Sequence, residues 1–553
     1  YLFPIHRFIL SCRPAGILQL IAVIASGGIS PWGFLNCPAF CVLNHTADVE
    51  VARAELAAAI FVHKVHNGLT VILSPDHSDP LVHVDVTYHV GSAREEVGKS
   101  GFAHFFEHML FQGSKHVEDE EHFRLIKQYG GTVNGNTTRD RTVYVETFPS
   151  NFTETALWME ADRMGAFLEA FTQKKFEIQR STIKNEKAQR FNTPYGFLRE
   201  LVGQQLYPVD HPYSWETIGY LDDLDNSDSS DLKNFFLRWY GPNNAAVIVS
   251  GDVNPADVVK WTEKYYGSIK RGPDVRKQRV RPVVLKDNKA MTQVDINASV
   301  PLIYQSFVGA KARHADEPAL DFLSYLMSSG QNSFLYKNVM EDEKALQVAM
   351  QNNPMSSINH ELAGEIVLMI VGYPLQDVVD LQKTMADAIA KFDINSFTQD
   401  DLDRARLIFK KGSTNGMESA QRKASDLSQN WYMTYGKMYK NSDEWKKYEK
   451  VTKEDIIRVF NKYVKGKKSS TVIIKPLPRS ERENKSEFAY KSRNPNAGYK
   501  NPAAEAEYFG LKARPTVDDF DRSIKPVPTA PKSPKVPEVY TSNLKNGVKV
   551  LGT

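Results

Sequence analysis

The segment Gly101–Gly113, GFAHFFEHMLFQG, places two histidines and a glutamate inside an otherwise apolar run. The glycines at its ends predict a helix of about three turns between them. On such a helix His104 and His108 lie one turn apart and point the same way, with Glu107 beside both. A buried carboxylate without a partner is costly, whereas a divalent cation binds neutral imidazole nitrogens and attracts a carboxylate. The pattern therefore predicts a metal site.

The spacing of the two histidines suits zinc. Imidazoles at positions i and i+4 can reach one Zn²⁺ at about 2.0–2.1 Å, and a catalytic zinc needs a third protein ligand and an open position for water. All three cysteines lie in the first 41 residues, so the third ligand should be His, Asp or Glu. A helix predicted over Lys174–Gly196 offers Glu177 and Glu186. The residue pattern alone leaves both open.

The composition excludes one class of partner and indicates several domains. The chain has 553 residues with a net charge of +3, and at roughly 100–200 residues per domain two to four domains are expected. The 69 basic residues are nearly balanced by 66 acidic ones. A nucleic-acid binder would show a concentrated basic face, so we expect no nucleic-acid partner.

The order of elements suggests a duplicated α+β unit. A hairpin is predicted around Asn67-Gly68, and strands or hairpins over Leu81–Ala93, Thr132–Pro149 and Asn244–Val253. Helices are predicted over Glu118–Tyr129, Asn151–Phe171, Phe176–Asn192 and Pro255–Ile269. A similar order restarts near Thr292 and ends with a strand in Thr471–Pro478.

We expect five segments: a leader (1–47), a catalytic domain (48–275), a second homologous domain (276–478), a proline-rich charged linker (479–538) and the start of a third homologous domain (539–553). The last segment is suggested by Leu544–Leu551, LKNGVKVL, which echoes Val65–Ile72, VHNGLTVI. On this interpretation the chain is a C-terminally truncated fragment that lacks most of a second half.

The leader resembles a secretory signal. Arg7 and Arg13 precede an apolar run, and no acidic residue occurs before Asp48. The run of about 14 residues is short for a membrane span, which needs about 20, so we expect export and no stable span after leader removal. A mitochondrial transit peptide and a mistranslated upstream stretch are the alternatives.

The sequence resembles the pitrilysin/insulinase (M16) family of zinc peptidases, whose inverzincin signature is His-x-x-Glu-His. It is most similar to exported bacterial members with two halves in one chain, which implies the periplasm. The matching segments are Gly91–Ser114, Gly130–Glu146, Ile183–Gly196 and Val249–Pro255. The resemblance implies an α+β fold of two tandem homologous units, each an antiparallel-rich sheet with helices packed on one face. Together the two units would form half of a clamshell.

The resemblance also implies the roles of the site residues. His104, His108 and Glu186 would hold one Zn²⁺ per chain, since Glu186 rather than Glu177 lies at the family's distance from the motif. Glu107 would be the general base. Where some relatives have a further glutamate, this chain has Gln179, which can form a hydrogen bond but has no charge.

The matching edge strand implies how a substrate binds. In the family it pairs with an extended peptide, which gives Asn134, Gly135 and Tyr144 substrate-binding roles. An ordinary turn-flanking role for Asn134 is the alternative. His116 and His122 are predicted to be surface residues and not ligands.

The expected function is that of a zinc metalloendopeptidase, a protease acting on peptides or unfolded polypeptide segments. Its partners would be that substrate and the missing C-terminal half of the same polypeptide. The second unit has no His-x-x-Glu-His and is expected to be non-catalytic. The alternative is a non-proteolytic peptide-binding or structural subunit of the same fold.

Overall fold

The computed structural model describes residues 60–354, 360–416, 418–438, 441–495, 497, 508, 510–533 and 538–552. The predicted leader lies outside the described residues. Within the described part, no helix combines the length and the apolar character needed to cross a bilayer.

The first unit contains one mixed sheet with helices packed against it. Its strands are β1 (Phe61–Lys64), β2 (Thr70–Pro75), β3 (Leu81–Tyr88), β4 (Thr132–Thr137), β5 (Thr142–Pro149) and β6 (Ala245–Gly251). They lie in the order β1-β2-β6-β3-β5-β4, and every neighbouring pair is antiparallel except β2 and β6. The predicted hairpins β1-β2 and β4-β5 are confirmed. The α-helices are α1 (Phe102–Met109), α2 (Glu121–Gln128), α3 (Thr153–Ala170), α4 (Gln173–Phe191), α5 (Leu198–Leu206), α6 (Leu221–Asn226), α7 (Ser229–Trp239) and α8 (Pro255–Tyr266).

The second unit repeats this plan with a smaller sheet. Its strands are β7 (Lys289–Asp295), β8 (Leu302–Gly309), β9 (Gln347–Asn352), β10 (Gly364–Val371) and β11 (Ser469–Pro476). They lie in the order β7-β11-β8-β10-β9, and the sequence analysis did not identify β9. The helices are α9 (Glu317–Ser328), α10 (Val378–Lys391), α11 (Gln399–Gly416), α12 (Ala420–Met433), α13 (Asn441–Glu449) and α14 (Lys453–Tyr463).

Each unit contributes one helix that packs against the sheet of the other unit. Alternate side chains of a strand face opposite sides of its sheet, and while Val71 of β2 faces the main core of the first unit, Ile72 packs against Trp431 of α12. In the same way Leu201 of α5 packs against Val472 in the second sheet. The predicted arrangement of helices on one face is confirmed, and the other face of each sheet is covered by the other unit. The apolar surface buried between these helices and sheets, at about 25 cal/mol per Å², therefore stabilises the contact between the two units.

The proline-rich linker packs along the helices of the first unit. The indole N–H of Trp158 donates to the carbonyl of Arg522 at 3.0 Å, and Arg522 is itself buried. Its guanidinium donates to the carbonyl of Tyr265 at 2.7 Å, and Arg514 donates to the carbonyl of Leu237 at 2.7 Å. The linker around Arg514 and Arg522 is therefore fixed by hydrogen bonds to the first unit.

The last described hairpin repeats the geometry of the first one. Its strands are β12 (Tyr540–Asn543) and β13 (Lys549–Gly552). The N–H of Leu544 donates to the carbonyl of Val548 at 2.8 Å, as the N–H of Val65 donates to that of Leu69 at 3.0 Å. Val65 and Leu69 are buried, whereas Leu544 and Val548 are exposed. The similar segments Val65–Ile72 and Leu544–Leu551 thus form the same turn, but only the first of them is buried.

Burial of His83 on β3 should make folding sensitive to acid. Its Nδ1 lies 2.7 Å from the Thr147 hydroxyl, and burial lowers its pKa from 6.5 to about 4. The unfolded chain therefore gains a proton first as the pH falls through 6.5, which removes stability down to about pH 4. Between pH 7 and pH 5 we expect this residue to cost about 2 kcal/mol of unfolding free energy. Urea denaturation of His83→Gln should show a flatter pH dependence than wild type, and the exposed His66→Gln should not.

Candidate active site

Helix α1 has its polar residues on one side, and its aromatic side packs into the core. Phe102, Phe105 and Phe106 are fully buried in the main core, whereas His104, Glu107 and His108 are half-buried. The helix follows Gly101, whose φ of +93° and close approach to the Ile218 carbonyl exclude a side chain. The aromatic side of α1 therefore fixes the direction of its three polar residues.

The side chains of His104, His108 and Glu186 converge on the polar side of α1. The carboxylate Oε2 of Glu186, on α4, lies 3.7 Å from His104 Nε2 and 3.4 Å from His108 Nε2. Ligand atoms of a tetrahedral zinc with bonds of about 2.0–2.1 Å are separated by about 3.4 Å, so the donor types and distances fit zinc. Glu177, the other candidate on α4, is exposed and lies beside Arg180 instead.

The electrostatics of the three groups differ. Burial lowers the pKa of His104 to about 4, and the charge of His108 adds to this effect. Burial also acts on His108, but the hydrogen bond and charge of Glu186 outweigh it and raise that pKa. The same hydrogen bond lowers the pKa of Glu186. The site thus stabilises negative charge on Glu186, the form that binds a cation.

Glu107 lies beside the cluster without joining it. Burial raises the pKa of its carboxyl group, against the opposing effect of the hydroxyl and the backbone N–H of Thr137. It lies below Gly135 of the edge strand β4, where an added Cβ would come within 2.9 Å of the Glu107 Cγ and 3.0 Å of its Oε1. Glycine at this position lets the backbone of β4 approach the carboxylate.

Gln179 orients one of the histidines. It is buried on α4, and its Oε1 lies 3.3 Å from His108 Nδ1, which places the proton on Nδ1 and leaves Nε2 to face Glu186. We expect Gln179→Ala to weaken zinc binding about 10–100-fold, because second-sphere partners fix ligand orientation. Competition with a chromophoric chelator measures this. Gln173→Ala, at the exposed start of the same helix, is the control, and equal zinc affinity of the two variants would contradict the assignment.

The predicted substrate-binding residues fall in two places. Among the described strands, β4 pairs with β5 alone and forms the edge of the sheet, and Asn134 lies exposed on it. Tyr144 pairs with Gly135 in register, but its side chain is fully buried and its hydroxyl lies 3.4 Å from the Phe106 carbonyl. The structure therefore places Asn134 and Gly135 on the open edge and Tyr144 beneath it, where it supports α1.

The prediction that His122 is a surface residue is wrong. It is buried in a second cluster with Glu146 and Glu160, and its Nδ1 lies 3.5 Å from Glu146 Oε1. The guanidinium of Arg163 pairs with Glu160, so a cation already balances this cluster. His116 is also partly covered, with its Nδ1 2.7 Å from Asp162 Oδ1. The prediction for both rested on their position after Gly113, which ends the preceding helix. The signal that could have corrected it for His122 is the amphipathic helix α2, on whose buried face it lies.

Comparisons with known families agree with this fold. Residues 70–207 match the family described as Insulinase (Peptidase family M16), and residues 228–409 match the domain described as Peptidase M16 inactive domain. The chain belongs to the M16 peptidase family.

Individual relatives point the same way. The chain is 29% identical to the zinc protease PqqE of Helicobacter pylori, over 74% of this chain and 91% of that protein. A crystal structure of a protease from Helicobacter pylori superposes with a TM-score of 0.70 at 27% identity, over 76% of this chain and 100% of the other. The first half of the periplasmic protease PqqL from Escherichia coli shares the fold, with a TM-score of 0.61 at 17% identity over 78% and 97% of the two chains.

Proposed function

We propose that this protein is a zinc-dependent endopeptidase that hydrolyses peptides or unfolded polypeptide segments. The observation that supports this most is the convergence of His104, His108 and Glu186 at distances that suit one zinc ion, with Glu107 beside them. The names of the relatives as zinc proteases support the same chemistry.

The residues divide the chemistry between them. A zinc ion held by His104, His108 and Glu186 would lower the pKa of a coordinated water to about 7 and polarise the scissile carbonyl. Glu107 accepts the proton of the attacking water and then delivers it to the leaving amine. Its raised pKa suits a group that must both take up and release a proton. No serine or cysteine nucleophile is required.

The edge strand β4 would align the substrate. Its outer backbone groups face no other strand among the described residues, so an extended peptide can add to the sheet by main-chain hydrogen bonds. Such a peptide would lie beside Gly135 in the plane of the sheet, close to the Glu107 carboxylate on the face below. Asn134, exposed next to it, would bind the peptide backbone.

We also propose that a further half completes the clamshell and that the protein works after export. The hairpin β12-β13 has exposed apolar residues where the first hairpin has buried ones, which suits packing into a further unit of the same fold. The structural relative PqqL is titled a periplasmic protease, and the signal-like leader agrees with that location.

Metal analysis combined with a cleavage assay tests this function. We expect the purified chain to contain about one zinc, as the three-ligand site predicts, and to cleave a fluorogenic peptide. Treatment with 1,10-phenanthroline should abolish cleavage, and added Zn²⁺ should restore it. Zinc content is read separately, so slow turnover does not obscure the result. A chain without metal affinity, or cleavage that survives complete zinc removal, would contradict the proposal.

A further inference from the structure

A cavity of about 440 Å³ lies where the two units meet. From the first unit it is lined by Arg139, Arg190 and Arg199, and from the second by Tyr304 and Glu365. Arg190 follows Glu186 by one turn of α4, so the two side chains lie on the same side of that helix. The cavity therefore begins one helical turn from a proposed zinc ligand.

The walls of this cavity contain an excess of positive charge. Three guanidinium groups line it, whereas Glu216 and Glu365 are the carboxylates among its described wall residues. Arg190 pairs with Glu216 at 3.3 Å, and Glu365 accepts a hydrogen bond from Ser306. The nearby carboxylate of Asp140 is not in the wall and accepts hydrogen bonds from the Tyr213 hydroxyl and the Glu361 N–H.

Arg199 is the wall arginine without a hydrogen-bonded carboxylate among the described residues. Its side chain lines the cavity and is exposed to solvent, and no described residue accepts a hydrogen bond from its guanidinium. Partial burial and then the like charge of Arg190 lower its pKa, with a smaller contribution from Arg139, and Glu216 and Tyr304 only partly compensate. A carboxylate entering the cavity would relieve this repulsion and form charge-assisted hydrogen bonds.

The cavity also lies on the path of the proposed substrate. Arg139 follows the edge strand β4 by two residues, and the Glu107 carboxylate lies below Gly135 of that strand. Residues in an extended peptide advance about 3.3 Å each. A peptide on β4 with its cleaved bond above Glu107 therefore reaches Arg139 about two to four residues away.

We propose that this arginine-lined cavity is a specificity subsite for a carboxylate of the substrate, two to four residues from the cleaved bond. The carboxylate is either an aspartate or glutamate side chain or the C-terminus of the peptide. This inference rests on the proposed peptidase function and adds to it a charge preference that the catalytic residues do not determine.

A peptide series on the zinc-loaded chain tests the subsite. Each labelled peptide has a single Glu, Gln or Lys at one of the second to fourth positions on either side of the cleaved bond, or a free or amidated C-terminus. We expect wild type to favour one Glu peptide over its Gln counterpart by about tenfold in kcat/KM, the size of one exposed charge-assisted contact. If the peptide C-terminus supplies the carboxylate, amidation should lower kcat/KM by this factor, and an internal Glu-to-Gln change should not.

Variants of Arg199 connect the preference to the cavity. Arg199→Gln should bring the Glu-to-Gln ratio close to one, and Arg199→Glu should favour the Lys peptide instead. Arg404→Gln, which removes an exposed arginine of α11, should keep the wild-type ratio. Because each variant is compared with itself across peptides, a general change in activity does not affect the ratio.

Binding measurements separate this inference from the proposed function. Fluorescence anisotropy gives the same peptide ratios as Kd values, with no need for cleavage. If wild type shows a tenfold binding preference that Arg199→Gln abolishes, and no peptide is cleaved, the subsite proposal stands and the peptidase proposal fails. Cleavage with no charge preference, or a preference unchanged in both Arg199 variants, would overturn the subsite alone.

Discussion

Replacing Glu107 by Gln is expected to lower kcat for peptide hydrolysis about 10²–10⁴-fold, the usual contribution of a general base, while zinc content stays unchanged. Glutamine fills the same space beneath Gly135 but cannot accept the proton of the attacking water. Since Glu107 is not among the three converging ligand atoms, its replacement should leave the metal in place. Single-turnover cleavage of a fluorogenic peptide and elemental analysis measure the two quantities.

The combination of the two readouts distinguishes a peptidase from a binding protein. A non-proteolytic subunit of the same fold would show no cleavage before or after the Glu107→Gln change, and its zinc content would stay the same. Glu177→Gln, an exposed isosteric change on α4, is the control and should retain wild-type turnover. Retention of wild-type turnover by Glu107→Gln itself would place the base elsewhere.

Replacing Glu186 by Gln is expected to remove the zinc and, with it, the activity. The amide has no negative charge to bind the cation, and it leaves the two imidazoles as the remaining ligands of the group. We expect the zinc affinity to fall by more than about a hundredfold, beyond the range seen when second-sphere partners are changed. Zinc titration against a competing chelator gives the affinity directly.

Glu177→Gln is again the matched control, because both glutamates lie on α4 and were the two acids that the sequence offered. It should bind zinc as wild type does, because its side chain lies beside Arg180 and away from the histidines. If Glu177→Gln lost zinc and Glu186→Gln retained it, the ligand assignment would be reversed. Circular dichroism of both variants shows whether the helix itself is preserved.

The local elements and the composition of the proposed zinc site could be predicted from the sequence. Hydrophobic periodicity and the Asn-Gly turn are properties of a few adjacent residues, so the hairpin β1-β2 and the helix α1 follow from them directly. The i and i+4 spacing of His104 and His108 is likewise a property of one helix. Glu186 needed the family resemblance, because its distance from α1 in space depends on how two helices pack.

Only the tertiary structure decided which faces are buried and which groups meet. The burial of Tyr144 and His122, the exchange of α5 and α12 between the sheets, and the arginine-lined cavity all join residues far apart in the sequence. A sequence pattern indicates on which face of an element a side chain lies, but not which other element covers that face. The sequence therefore determined the chemistry available at the site, and packing between the units determined which side chains surround it.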